Sequence, residues 1–225
     1  MKGIPFTAYD VFAYLSSGFF VIGAADYAFP GKWLLDASLN TAHVFLWIVV
    51  AYVLGHAIAQ VSATVLEKGL VKRGLGYPTT ALFGTAGSAL KWLFPGYFEP
   101  LPGQIRDLVR KNAETDAGIT DDSALFMYCD ARGKKDEETA AVLTVFLSMY
   151  GFARNVCVAA AVAAVLLLAG AIAHHENWET KAWLAGGAAV IAVFLLYRYL
   201  KFFRVYALEM FSAYAAGYPA STGSS

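Results

Sequence analysis

The segment His43–Lys72, HVFLWIVVAYVLGHAIAQVSATVLEKGLVK, determines the predicted fold of this chain. From Val44 to Leu66 it has no Asp, Glu, Lys or Arg, and a helix of that length crosses a hydrocarbon layer of about 30 Å. Four polar residues recur at helical spacing and share one face, the polar stripe: His56, Gln60, Thr64 and Glu67. Because unpaired polar groups are costly in lipid, the polar stripe is predicted to face other helices or water.

The composition agrees with a membrane protein. Hydrophobic residues make up 58% of the 225, and the mean hydropathy is +0.52. Charged residues make up 15%, against about 25% in soluble domains. The formal net charge is zero, and no nucleic-acid partner is expected. Without a CxxC pair or a Cys/His cluster, the sequence predicts no metal and no cofactor, and Cys129 and Cys157 are expected in different compartments rather than in a disulfide.

The hydrophobic pattern predicts four membrane spans, at about 11–29, 44–66, 155–173 and 183–200. A cleaved signal peptide is the competing interpretation of the first span. The fourth continues without a helix breaker to about residue 216, and a disordered tail is predicted for 217–225. The predicted fold class is an all-α integral membrane protein with four transmembrane helices and a cytoplasmic helical insertion between the second and third.

The distribution of Lys and Arg predicts the orientation. Ten of these residues lie between Glu67 and Asp136, whereas the connections after the first and third spans hold only Lys32 and Lys181. The basic side of a membrane protein faces the cytoplasm. We therefore expect both termini and the insertion 67–138 in the cytoplasm of a bacterial-type inner membrane, with transmembrane hairpins at 1–66 and 139–216.

The predicted insertion divides into two parts. Residues 74–102 are apolar and aromatic, which favours a segment at the lipid headgroups or packed on the helical bundle. Residues 104–138 are charged and predict two amphipathic helices, the second capped by Asp121. The acidic run that starts at Asp136 is predicted to open the long helix of the third span. The insertion is also a candidate docking surface for a soluble protein partner.

The polar stripe has two interpretations. It lines a pore, relays protons or binds a polar ligand, or it sets the register of the bundle by hydrogen bonds to other helices. Tyr14, Ser16 and Ser17 of the first span are the expected structural partners. His56 is the strongest functional candidate of the four, because an unperturbed imidazole titrates near neutrality.

Two further groups are candidates for lipid or anionic-ligand contact. Arg154 enters the membrane with the third span, where it meets lipid phosphates or pairs with Glu67 or Asp10. The second group follows the fourth span at three-residue spacing among aromatic residues and comprises Arg198, Lys201 and Arg204. Such a pattern is typical of contact with anionic lipid, and it also suits a phosphorylated ligand.

Residues near the outer helix ends are interpreted as exposed caps rather than metal ligands, because no known ligand spacing occurs among them: Asp26, Asp36, His43, His174, His175 and Glu176. Small residues in three spans, Gly18 and Gly23 among them, allow tight helix packing and favour a homo-oligomer.

Three functions remain open. The first is an oligomeric, channel-like protein that forms a pore or perturbs the lipid bilayer, gated by the insertion. The second is a non-catalytic anchor or sensor subunit that docks a soluble partner. The third is a membrane-embedded enzyme acting on lipid, for which the sequence offers no convergent acid/base pair, so no catalytic residue is predicted.

Overall fold

The structure, a computed structural model, describes residues 8–31, 34, 40–84, 87 and 89–217 of the chain. These described residues form helices and turns, with no strand among them. Asp36 and all but the first residue of the predicted tail 217–225 lie outside the described part, as does the side chain of Asp10.

Ten helical segments follow one another along the described chain. The first helix, α1, is Ala8–Ala28, and α2, Thr41–Ser62, continues directly into a π-helical segment, Ala63–Leu75. Short elements come next: α3 (Pro78–Leu82) and the 3-10 turns Ala89–Trp92 and Pro95–Tyr97. Four helices complete the order: α4 (Gly103–Ala117), α5 (Asp122–Gly133), α6 (Glu137–Ala173) and α7 (Trp178–Ala216).

Four helices are long and apolar enough to cross a membrane. They are α1, α6, α7 and the helical run that begins with α2. Together they contain the four predicted spans almost entirely. The prediction of an all-α protein with four helices able to cross a membrane is therefore confirmed. The prediction that the fourth span leaves as one unbroken helix is confirmed as well, because α7 runs for 39 residues.

The described chain divides into two compact units. Unit 1 contains residues up to Lys68 together with 148–199, and unit 2 contains 69–147 together with 200 onward. Unit 2 thus takes in nearly all of the predicted insertion 67–138. It also includes residues 139–147 and the part of α7 from residue 200 onward, both of which the sequence had assigned to the second hairpin. The side of the membrane on which the insertion lies stays a prediction.

Glycines bring α1 and α2 of unit 1 into close backbone contact. Gly18 lies against the backbone of Ala51, and Gly55 lies against the backbone of Tyr14. A Cβ at either glycine would overlap the facing carbonyl oxygen, so only glycine fits. A core cluster of this unit consists of five alanines and one leucine: Ala24, Ala28, Ala163, Leu167, Ala185 and Ala188.

Unit 2 has a core of larger side chains, which include Leu82, Phe83, Leu101, Val109, Leu125, Leu143, Met210 and Phe211. Its helices end and begin at recognisable signals. Gly118, with φ of 64°, ends α4 in the left-handed conformation, and the Asp121 carboxylate accepts the N–H groups of Ser123 and Ala124 at the start of α5. Asp121 therefore caps α5, as the sequence predicts.

Candidate functional site

A polar network surrounds Glu67 in unit 1. Glu67 lies in the π-helical segment, and its Oε1 accepts a hydrogen bond of 2.5 Å from the Tyr150 hydroxyl of α6. Arg154, one turn further along α6, forms an ion pair with the same oxygen. Of the two carboxylates considered for Arg154, the structure places it beside Glu67. The Arg154 side chain is only 17% exposed and that of Glu67 36%, so the pair is partly shielded from solvent.

The network continues to the centre of the unit through Asn155. The Asn155 Oδ1 accepts a hydrogen bond of 3.2 Å from the Arg154 Nε and one of 2.8 Å from the Ser62 hydroxyl of α2. Ser62 and Asn155 are both buried. On the other side, the ring of Tyr150 lies 5.0 Å from that of Tyr199 on α7. Polar and aromatic contacts therefore connect the second, third and fourth long helices.

In this arrangement the charges of Glu67 and Arg154 are paired with each other. Glu67 already accepts two donors at one oxygen, and Arg154 is held by Glu67 and Asn155 at once. A carboxylate bound in this way does not act as a free general base. His56 lies about three helical turns from Glu67 along the same helical run, and the lipid-enzyme hypothesis stays a prediction.

The other three residues of the polar stripe lie on the exposed surface of the helical run formed by α2 and the π-helical segment. His56, Gln60 and Thr64 are exposed, whereas the opposite face of the same helical run is buried through Ala51, Gly55, Ile58, Ser62 and Leu66. The structure therefore separates the polar stripe, because Glu67 turns inward to α6 and the other three do not.

Aromatic rings hold the imidazole of His56. It stacks on the Tyr14 ring with centroids 3.9 Å apart, and Tyr52 meets its edge at 4.6 Å. Tyr14 was an expected hydrogen-bond partner of the polar stripe, but its contact with His56 is ring stacking. The Thr64 hydroxyl donates to the Gln60 backbone carbonyl at 3.1 Å, so Thr64 is satisfied within its own helix. Among the described residues, the Gln60 side chain has no hydrogen-bond partner.

The three basic residues after the fourth span differ in their exposure. Arg198 and Lys201 are exposed. The side chain of Arg204 is 15% exposed; it donates to the Glu99 backbone carbonyl at 2.9 Å and lies 3.5 Å from the Glu99 carboxylate. Arg204 therefore connects α7 to the segment before α4 within unit 2, whereas Arg198 and Lys201 are the two exposed members of the group.

At the outer ends of the helices, the described residues contain no group of three or more His, Cys, Asp or Glu side chains that could hold a metal ion. Asp26 is buried and accepts the Leu34 N–H at 3.1 Å, and the His174 ring meets Phe29 edge-on. The Lys181 Nζ lies 3.3 Å from the His174 carbonyl oxygen, at the end of α6. Lys181 therefore donates to carbonyl groups at the end of α6, where a positive charge is favourable.

Sequence reasoning singled out Glu67 and Arg154 but not Ser62, Tyr150 or Tyr199, which complete the network. A hydroxyl at Ser62, on the buried rather than the polar face of α2, was the available signal. No protein-family model, no curated protein and no solved structure matches this chain. Its function is therefore inferred from the contacts described above.

Proposed function

We propose that this protein forms an oligomer in the membrane, in which α2 of neighbouring copies surround a polar path lined by His56, Gln60 and Thr64. The path is a pore, gated through the insertion 67–138. The distribution of Lys and Arg supports a cytoplasmic location for the insertion and for both termini, in a bacterial-type inner membrane.

The observation that carries this proposal is the exposure of three polar side chains on a membrane-crossing helix. Gln60 has no hydrogen-bond partner among the described residues, and the contacts of His56 there are ring contacts. Lipid chains supply neither donors nor acceptors, so an amide and an imidazole facing them would each cost several kcal/mol. A neighbouring copy or water on this face removes that cost.

The rest of the α2 surface supports contact with other copies. Large apolar side chains near the polar residues are exposed, including Val53, Val61 and Val65, which are 63%, 51% and 53% accessible. An exposed surface that combines polar and apolar side chains suits a helix that lines a wet path with one part of that surface and meets neighbouring helices with another.

The experiment is a conductance measurement on the purified protein in planar bilayers. Replacing His56, Gln60 and Thr64 together by Leu is expected to abolish conductance, because an apolar constriction expels water. The matched control replaces Val53, Val61 and Val65 by Leu on the same helix, and its conductance is expected to persist. Discrete conductance that survives the first triple substitution removes these residues from the path.

A second function is supported by a different observation. Unit 2 has its own core and an open cleft of about 370 Å³. The cleft is lined by Tyr77, Pro78, Thr79, Thr80, Asp122, Ser123, Phe126, Met127 and Phe203. This favours an anchor or sensor subunit that docks a soluble partner on the insertion.

Met127 distinguishes the two functions because it is 72% exposed and its replacement leaves the core intact. Under the anchor hypothesis, Met127→Glu abolishes co-purification of a partner, while Glu114→Lys, an exposed change on α4, does not. Under the pore hypothesis, Met127→Glu leaves the open-channel conductance unchanged.

A further inference from the structure

An exposed indole sits beside a lysine in unit 2. Trp92 is 78% accessible and the neighbouring Leu93 is 37% accessible, while Lys91 is exposed as well. The aromatic residues that follow behave differently: Phe94 and Tyr97 are 5% and 4% accessible. The apolar part of the insertion thus divides into residues that build unit 2 and a short run, Lys91–Leu93, that points away from it. We call this run the Trp92 turn.

Hydrogen bonds fix the backbone around the Trp92 turn. The N–H groups of Leu93 and Phe94 donate to the Leu90 carbonyl at 3.0 and 3.1 Å. The Tyr97 hydroxyl donates to the Gly76 carbonyl at 2.8 Å. Because Phe94 is buried directly after the turn and Tyr97 is anchored, the outward position of Trp92 follows from an ordered backbone.

The chain keeps the Trp92 turn within reach of the bilayer surface. Gly76 follows the helical run that begins at Thr41 and lies ten residues beyond Leu66, a rise of at most about 15 Å. Trp92 is five residues from Tyr97, which is bound to Gly76, so its backbone lies within about 18 Å of Tyr97. These chain lengths allow the Trp92 turn to reach the headgroup layer next to the span.

We propose that the Trp92 turn is a membrane-surface contact, with the Trp92 indole at the headgroup level and Lys91 on anionic lipid. Indoles concentrate at this level because their apolar body and polar N–H suit the boundary between hydrocarbon and water. A lysine beside the indole gains from the negative surface potential of anionic lipid. The turn would thereby fix a surface of unit 2 to the bilayer, whether or not the protein forms a pore.

The test uses the full-length chain with Trp92 as its single tryptophan. Trp33, Trp47, Trp178 and Trp183 are replaced by Phe, and the protein is placed in vesicles of phosphatidylcholine and phosphatidylglycerol. Brominated acyl chains and aqueous acrylamide are then compared as quenchers of the fluorescence. We expect Trp92 to be quenched by the brominated lipid and shielded from acrylamide, with a blue-shifted emission.

The matched control moves the probe to a charged surface of the same unit. In the tryptophan-free chain, Glu114→Trp places an indole on the exposed side of α4. The ratio of lipid quenching to acrylamide quenching is expected to be several-fold higher for Trp92 than for this control. Equal ratios, or strong acrylamide quenching of Trp92, would overturn the proposal. Lys91→Glu is expected to lower the lipid quenching of Trp92 in anionic vesicles, and no change would remove Lys91 from the contact.

A measurement on the unsubstituted protein guards against misfolding of the multiple variant. Hydroxyl-radical oxidation, read by peptide mass spectrometry, reports the access of water to each side chain. Trp92 is expected to be oxidised several-fold more slowly in vesicles than in the denatured chain. Oxidation of Trp92 in vesicles at the rate of the denatured chain would overturn the proposal.

Discussion

The core clusters of the two units differ in the size of most of their side chains. Unit 1 holds the apolar parts of the candidate spans, and its helices approach through Gly18 and Gly55 and through a small, alanine-rich core. Unit 2 buries large side chains such as Phe211 and Leu143. Lipid is as apolar as a leucine, so burial of large side chains gains little between membrane helices, and close backbone contact stabilises them instead. In water, the burial of large apolar side chains is the main source of stability.

The largest expected effect concerns Cys129, which is fully buried in the core of unit 2. Burial raises the pKa of the Cys129 thiol from 9.0 to about 12. Only the thiolate reacts with maleimide, and three pKa units reduce the thiolate at pH 8 by about a thousandfold. Cys129 in the native protein is therefore expected to react at least that much more slowly than in urea, as measured by peptide mass spectrometry. Native labelling at the denatured rate would show that this core is open.

The second prediction tests the large side chains of unit 2. Phe211 is fully buried and meets Phe83 edge-on at 5.2 Å. Phe211→Ala is expected to lower the free energy of unfolding by about 3–5 kcal/mol, through lost burial and a cavity. Near-ultraviolet circular dichroism during denaturation in detergent measures this loss. The exposed control Met127→Ala is expected to stay within about 0.5 kcal/mol of the unsubstituted protein.

The third prediction enlarges a residue in unit 1, whereas the second shortens a side chain in unit 2. Gly18→Ala adds one methyl group that overlaps the Ala51 backbone, so it is expected to destabilise the α1–α2 contact by about 1–3 kcal/mol. Gly23→Ala on the same helix meets no other atom within 4 Å and serves as the control. Thermal denaturation in detergent measures both. Equal melting temperatures for the two variants would show that close approach at Gly18 does not stabilise unit 1.

The difference between Gly18 and Gly23 shows a limit of the sequence. Both glycines were equal candidates for tight packing, since spacing alone does not fix how a helix is rotated about its axis. In the structure, Gly18 contacts a neighbouring backbone and Gly23 faces open space. The spans themselves could be predicted, because an apolar stretch long enough to cross the bilayer is a property of the sequence alone.

The partners of the polar residues also depend on tertiary packing, which the sequence alone does not determine. The cost of an unpaired charge predicted that Arg154 meets lipid phosphates or pairs with a carboxylate near the membrane surface. The choice of Glu67 and the participation of Tyr150 depend on tertiary packing, with Glu67 and Tyr150 separated by 83 residues. The contact between Arg204 and Glu99 spans 105 residues, and no local pattern indicated it. The π-helical segment was also unexpected, since π-helices are mostly single turns and have no simple sequence signal.

The smallest expected effect is at the start of α6, a helix start that the local sequence was sufficient to predict. Asp136 accepts the Thr139 N–H at 2.8 Å, and hydrogen bonds from the Thr139 side chain and backbone hold the pKa of Asp136 below its ordinary value. A carboxyl whose pKa is lower in the folded state stabilises that state above its unfolded pKa, and this contribution disappears as the pH falls through the folded pKa.

Asp136→Asn keeps an acceptor for Thr139 but removes the charge. The variant is expected to melt slightly below the unsubstituted protein at neutral pH, and the difference should vanish in acid, below the folded pKa of Asp136. Thermal melts from about pH 7 down to about pH 2 measure the difference. Glu138→Gln, which removes a carboxylate from the same helical turn, is the control for charge alone. A difference between Asp136→Asn and the unsubstituted protein that stays constant down to the acid end would contradict the assignment, because a titrating carboxylate must lose its effect once protonated.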